Sequence, residues 1–158
     1  TELAEDRVVP YLDALRARHP EIATVVQTVN GNLTLLANAG GTSGTFHGII
    51  VNDATIRSIN GDVSITGTGG DAAGPTNQGI RLENGALIQS TGTGAGAGLV
   101  TLMGTGGNGG TADGIVLLES RVTSVDGNIQ LTGSSAEDTG VAIVNSSTVD
   151  STGGKENS

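Results

Sequence analysis

Four short stretches of the chain each begin with glycine and carry apolar residues at alternate positions after it. Alternation of this kind predicts β-strands that bury one face. The stretches begin at positions 48, 79, 114 and 140, at intervals of 31, 35 and 26 residues. A repeat of this length is typical of solenoids, in which each unit stacks on its neighbours. The four stretches are Gly48–Val51, Gly79–Leu82, Gly114–Leu117 and Gly140–Ile143.

Each repeat contains two further strand-like segments. One of them ends in serine in every unit, and the other follows an Asn-Gly or Asp-Gly pair in three places. Such pairs are strong signals for tight turns, because both residues tolerate positive φ. Three short strands in 26 to 35 residues are typical of one rung of a parallel β-helix. We therefore predict an all-β fold, a parallel β-helix (solenoid) of about four to five rungs.

Aligning the repeats predicts five columns of aliphatic side chains inside the coil, with rungs about 4.8 Å apart. A slip of one residue would turn a strand inside out, so five consistent columns argue strongly for this register. The columns are Ile49, Ile80, Ile115 and Val141; Val51, Leu82, Leu117 and Ile143; Ile56, Ile88, Val122 and Val149; Leu33, Val63, Val100 and Ile129; and Leu35, Ile65, Leu102 and Leu131.

The first 27 residues have a different pattern. Their apolar residues, from Leu3 to Val25 and Val26, are spaced in threes and fours among charged residues, which predicts an amphipathic α-helix. We expect an N-terminal α-helical cap over the end of the coil, with docking on another subunit as the alternative. The predicted organisation is a helical segment at 1–27, the β-helix at 28–152 and a polar, frayed tail at 153–158.

Composition and charge exclude several classes of function. The chain has 158 residues, 27 of them glycine, a single Tyr, a single Phe and no Trp, so a core built on large rings is excluded. Its net charge of −9 argues against nucleic-acid binding, which needs clustered basic residues, and against anionic membrane surfaces. Without cysteine there is no disulfide, thiol catalysis or Cys-based zinc site. No apolar run is long enough for membrane insertion.

The repeats also carry a family resemblance. The order is Gly-Ile-x-Leu, then a strand ending in Ser, then Gly-Asn-Ile-x-Leu-Thr-Gly, as in Gly114–Leu117, Val122–Ser124 and Gly127–Gly133. This pattern, over about residues 28 to 152, resembles the repeats of filamentous-haemagglutinin-like, adhesin-type proteins of bacterial surfaces. The resemblance implies a secreted parallel β-helix, located outside the cell or at the cell surface, that serves in adhesion, surface layers or fibres.

Acidic residues in the corner loops are the candidates for a metal site. Asp71, Asp113 and Asp138 each lie in the loop before a new rung, and calcium is bound by several oxygens from such turns. Their spacing does not match a glycine-rich calcium repeat, so we favour solvated turn acids and expect no cofactor. We also expect the chain to have no enzymatic activity. Catalytic β-helices need carboxylates grouped with basic residues, and beyond the first 27 residues only Arg57, Arg81, Arg121 and Lys155 are basic.

These observations favour a non-enzymatic extracellular structural protein. The last rung leaves a strand edge and an apolar layer uncovered, and such an edge recruits another strand. Head-to-tail self-association that does not close into a ring produces fibres. The first alternative is an adhesin segment that binds a glycan or a host protein through its corner loops, and a remote one is a polysaccharide-active enzyme. The predicted assembly residues are Val8, Leu12, Leu15, Val141, Ile143 and Val149.

Overall fold

A computed structural model of the chain describes residues 24–38, 43–74 and 76–153. This part of the chain forms thirteen short strands and one turn of 3-10 helix at Gly94–Gly96. The strands are β1 (Thr24–Asn30), β2 (Leu33–Ala37), β3 (Ile49–Asn52), β4 (Ala54–Asn60), β5 (Val63–Thr68), β6 (Ile80–Glu83), β7 (Leu87–Ser90), β8 (Val100–Thr105), β9 (Ile115–Leu118), β10 (Arg121–Ser124), β11 (Ile129–Ser134), β12 (Val141–Val144) and β13 (Thr148–Ser151).

The strands form three parallel sheets that run along the axis of a coil. Sheet A has the order β1-β4-β7-β10-β13, sheet B has β2-β5-β8-β11, and sheet C has β3-β6-β9-β12. Strand numbers rise by three within each sheet, so every turn of the coil adds one strand to each sheet. The described residues thus make four complete turns and one further strand. This confirms the predicted parallel β-helix and its number of rungs.

All five predicted aliphatic columns are present. In sheet C, for example, Ile80 pairs with Ile115, and Leu82 with Leu117, in register between neighbouring strands. These four side chains are completely buried. On the inner face of each sheet, an aliphatic side chain therefore stacks on the equivalent aliphatic side chain of the next turn. The core is a set of thin layers of Ile, Val and Leu. The remaining columns follow the registers of the other strand pairs.

Glycine closes the corner between sheets B and C. A Cβ atom added to Gly104, near the end of β8, would lie 2.0 Å from the carbonyl oxygen of Gly114, just before β9. The neighbouring turns have the same arrangement, with Gly67 against Gly79 and Gly133 against Gly140. Each long loop thus leaves the coil and returns to it at a point where two backbones touch. This explains why loop length varies between the repeats without disturbing the stack.

The N-terminal boundary of the coil differs from the prediction. Strand β1 begins at Thr24 and pairs in parallel with β4, so residues 24–27 belong to the β-helix and not to a helical segment. The helical assignment of Val25 and Val26 was therefore wrong. The predicted α-helical cap in residues 1–23 lies outside the described residues, as does the predicted frayed tail beyond Gly153.

Candidate functional site

The predicted assembly residues fall into two groups. Val8, Leu12 and Leu15 lie outside the described residues. Val141 and Ile143 are on β12, and Val149 is on β13, the last strands of sheets C and A. The structure brings this second group together at the C-terminal end of the coil.

Side chains at this end are less covered than their equivalents in earlier turns. Leu117 and Val122 are fully buried, with 0% exposure. Ile143, which stacks on Leu117, is 48% exposed, and Val149, which stacks on Val122, is 36% exposed. The residues are aliphatic in both turns and the register is the same, so the difference arises because no further described strand stacks on β12 and β13. Within the described residues, the apolar layer of the core continues to this end and is not covered there.

Strand β13 also has backbone groups on its open side. Its lower side is bonded to β10, because the N–H groups of Thr148 and Thr152 donate to the carbonyls of Ser120 and Ser124 at 3.0 and 2.9 Å. In a parallel strand, alternate residues direct their N–H and C=O groups to opposite neighbours. The groups of Val149 and Ser151 therefore point away from β10. An open edge with an apolar layer beside it is a surface on which another strand can add.

A column of serines runs through the interior of sheet A. The sequence left open whether these side chains point inward or outward, and the structure places them inward, with Ser58, Ser90 and Ser124 at most 1% exposed. The hydroxyls of Ser90 and Ser124 have no hydrogen-bond partner in the described part of the chain. At the open end, Ser151 is exposed and donates to the carbonyl of Gly127 at 2.9 Å. The column is thus structural inside the coil and reaches solvent only at the last strand.

The three calcium candidates do not converge on one site. Asp71 is exposed. Asp113 accepts hydrogen bonds from Gln78 Nε2 at 3.2 Å and from the N–H of Thr139 at 3.3 Å. Asp138 accepts a hydrogen bond from the same N–H of Thr139 at 2.9 Å. Over the described ranges, no three or more His, Asp or Glu side chains are grouped to hold a metal ion. Asp113 and Asp138 therefore act on the backbone and side chains of their own corner.

Asn77 organises the corner loop and was not identified from the sequence. It is completely buried, although its side chain is polar. Its Oδ1 accepts from the N–H of Phe46 at 3.0 Å, and its Nδ2 donates to the carbonyls of Ala72, at 2.6 Å, and Asn108. One amide thus joins the loops of three successive turns. It occurs in a single repeat, so no periodic signal marks it.

His47 lies beside an ion pair at the start of sheet C. Arg81 Nε and Glu83 Oε2 are 2.6 Å apart, and Arg81 Nη1 also donates to Gln78 at 3.0 Å. Burial, together with the positive charge of Arg81, lowers the pKa of His47 below 6.5, against a smaller opposing effect of Glu83. Its Nδ1 is buried and has no partner among the described residues. His47 is therefore a neutral structural residue at neutral pH.

The corner between sheets C and A repeats a left-handed residue in each turn. Asp53, Asn84, Glu119 and Asn145 all have φ between 46° and 54°, and each directly follows a strand of sheet C. This conformation is rare outside glycine and least unfavourable for Asn and Asp. A cleft of about 450 Å³ opens at this corner in the last turns, and it is lined by Gly85, Glu119, Ser120, Arg121, Asn145 and Ser146.

No helix in the described part of the chain has the length and hydropathy to cross a membrane. Comparison of the chain with models of known protein families, with curated proteins and with solved structures gave no match.

Proposed function

We propose that this chain is a non-enzymatic structural protein whose subunits associate end to end through the open last turn of the β-helix. One observation carries the proposal. The aliphatic columns that are fully covered in the middle turns continue into Ile143 and Val149, where nothing in the described part of the chain covers them. The backbone of β13 presents bonding groups to the same side.

The free energy available from covering this end is modest for each residue. Full burial of an Ile or Val side chain contributes about 1.5–3 kcal/mol. Ile143 and Val149 are 48% and 36% exposed, so covering them adds roughly 0.5–1.5 kcal/mol each. Each new backbone hydrogen bond along the edge contributes about 1 kcal/mol more. A contact of this strength stabilises a stack of subunits when it is repeated at every joint. Subunits in which the contact is blocked should stay soluble.

We place this assembly outside the cell or at the cell surface. The support for the location is the resemblance of the repeats to those of secreted adhesin-type proteins. Separation of the native host into cytoplasmic, membrane and extracellular fractions, followed by detection of the chain, tests the location. Recovery in the cytoplasmic fraction alone would contradict it.

End-to-end assembly is tested with charged substitutions at the open end. We expect the purified full chain to form threads in electron micrographs and large particles in light scattering. The variants Ile143→Lys and Val149→Lys should remain small, because a buried lysine at the joint is costly.

Met103→Lys is the matched control for this test, since Met103 is 48% exposed but lies on the outer face of β8, an inner strand of sheet B away from both described ends. It introduces the same charge and should assemble like the parent chain. If the parent chain forms only single particles at high concentration, the proposal is wrong. It is also wrong if the end variants assemble as well as the Met103 variant.

The cleft at the corner of sheets C and A favours a second candidate function, binding of a glycan. Glu119 and Arg121 supply an acceptor and a donor, and Asn145 and Ser146 add polar groups that suit sugar hydroxyls. A glycan array with the parent chain tests this idea, with Arg121→Ala as the binding variant and Arg57→Ala, on the same sheet but outside the cleft, as the control. Equal signals from both variants would exclude the cleft as the binding site.

A further inference from the structure

The outer faces of the three sheets differ in charge. The outward positions of sheet A include Arg57, Arg121 and Asp150, and those of sheet C include Arg81 and Glu83. Sheet B has eleven outward positions over its described strands, two on β2 and three each on β5, β8 and β11, and none of them holds a charged residue. The chain has seven basic and sixteen acidic residues, so this face differs from the rest of the surface.

Hydroxyl side chains occupy eight of the eleven outward positions of sheet B. The other three hold Leu36, Met103 and Gln130. The hydroxyl residues are Thr34, Ser64, Thr66, Thr68, Thr101, Thr105, Thr132 and Ser134. Those on β11 are exposed to solvent and those on β5 are half-buried between their neighbours.

The parallel register arranges these residues in a two-dimensional lattice. Between β5 and β8, for example, Ser64 pairs with Thr101 and Thr68 pairs with Thr105, and β11 continues the same columns. Neighbouring strands lie about 4.8 Å apart, and successive outward residues of one strand lie about 6.6 Å apart. The hydroxyl of Ser134 donates to Thr105 Oγ1 at 3.4 Å, so hydroxyls of neighbouring strands face the same side and come into contact.

We propose that the outer face of sheet B binds the surface of ice. Ice presents a flat, uncharged lattice in which every water molecule both donates and accepts hydrogen bonds, with repeats close to the two spacings of this face. A threonine or serine hydroxyl also donates and accepts, so it can join such a lattice in either direction. The proposal goes beyond end-to-end assembly and does not depend on it, because this face lies along the side of the coil.

The residue types suit a rigid, uncharged partner. Threonine is β-branched and stiff at χ1, so its hydroxyl and methyl groups are held in place before binding and little entropy is lost. A charged side chain would lose its hydration at an ice surface, which is costly, and the outward positions of sheet B hold none. Leu36 and Met103 interrupt the hydroxyls without adding charge.

A crystalline polysaccharide is the other flat, uncharged lattice that this face could meet. Surfaces that bind crystalline polysaccharides present aromatic rings to the sugars, and the outward positions of sheet B hold no aromatic residue. The residues of this face therefore favour ice.

Partition of the purified full chain into slowly growing ice tests the proposal. The parent chain should be enriched in the ice relative to the remaining liquid. Thr66→Lys places a charge within the face, on an inner strand of sheet B, and should lose most of this enrichment. Thr55→Lys is the matched control, since Thr55 is an outward, half-buried residue on β4, an inner strand of sheet A, and this variant should enter ice like the parent chain.

Circular dichroism at the temperature of the experiment establishes that each variant is folded. Thr105→Lys provides a second test if Thr66→Lys does not fold, because Thr105 is exposed on the same face. Ile143→Lys, which is designed to block end-to-end assembly, keeps the face intact and should still enter ice. Failure of assembly and failure of ice binding are therefore distinguishable.

The outcomes decide between the occupants of this face. Enrichment of the parent chain and the Thr55 variant in ice, with exclusion of the folded Thr66 or Thr105 variant, supports the proposal. Exclusion of the parent chain from ice overturns it. Equal enrichment of all variants also overturns it, because another surface would then bind the ice. Retention of the parent chain on microcrystalline cellulose or chitin, without enrichment in ice, would assign the face to a polysaccharide instead.

Discussion

Replacing Gly104 by alanine tests the closed corner between sheets B and C. Gly104 is buried in β8, and its φ is in the ordinary range, so alanine meets no conformational penalty there. The obstacle is contact, since the new Cβ would lie 2.0 Å from the carbonyl oxygen of Gly114 and 2.6 Å from Ile115 Cγ1. That oxygen is itself fixed, because it accepts from the N–H of Ile80 at 2.9 Å.

The cost follows from the distance that the backbone must move. A relaxed carbon–oxygen contact needs well over 3 Å, so one side of the corner has to shift by more than about 1 Å against its hydrogen bonds. Overpacking a close-packed core costs about 1–3 kcal/mol, and occasionally more. The carbonyl cannot rotate away as a flexible side chain would, so we expect a value near 3 kcal/mol. For a chain of this size, that lowers the Tm by roughly 6–12 °C.

Thermal unfolding followed by circular dichroism measures the effect. Gly110→Ala is the matched control, because a Cβ on Gly110 meets nothing within 4 Å. Its Tm should stay within about 2 °C of the parent value, as for most surface substitutions. If Gly104→Ala and Gly110→Ala have the same Tm, the two backbones do not touch at the corner and the explanation of the repeated glycines fails.

Three further predictions concern single residues. Asn77→Ala should lower the free energy of unfolding by about 2–4 kcal/mol, because it leaves the N–H of Phe46 and two carbonyls without their hydrogen-bond partner. Denaturant titration measures this change, and a loss below about 1 kcal/mol would contradict the role of Asn77. The folded chain holds His47 at a lowered pKa, so the unfolded chain binds more protons, and stability should fall as pH decreases from about 6.5 towards 5. His47→Gln should flatten that part of the stability profile measured by urea titration at each pH, and an unchanged slope would count against the assignment. Glu119→Asn should raise stability by up to about 1 kcal/mol, since Asn tolerates φ near 51° better than Glu; a lower Tm would refute the argument.

The sequence was sufficient to predict the coil and its core. Strand alternation has a period of two, and the same period returns in the same phase in every repeat, so the sequence alone pairs Ile80 with Ile115. The prediction worked because stacking places equivalent residues of successive turns beside each other, which makes the register a property of the repeat itself. Turn signals such as Asn60-Gly61 then marked the corners.

The local spacing of apolar residues gave a wrong prediction at the first strand. Val25 and Val26 continue a spacing of threes and fours that predicts a helix, yet they lie in β1 and pair with β4. Short apolar runs do not distinguish helix from strand, and the pairing surface of β4 decides the outcome. Contact with a neighbouring strand overrides propensity here.

What the sequence alone determined, then, is the repeating part of this protein: three strands per turn, five aliphatic columns and glycine at the corners. Only the tertiary structure decided the features that occur once. These are the role of Asn77 between three loops, the inward direction of Ser90 and Ser124, and the pairing of β1 with β4. The reason is physical. A repeated pattern occurs several times along the chain, so comparing the repeats gives their register. A single contact between residues distant in sequence forms only in the folded coil, and no repeated pattern marks it.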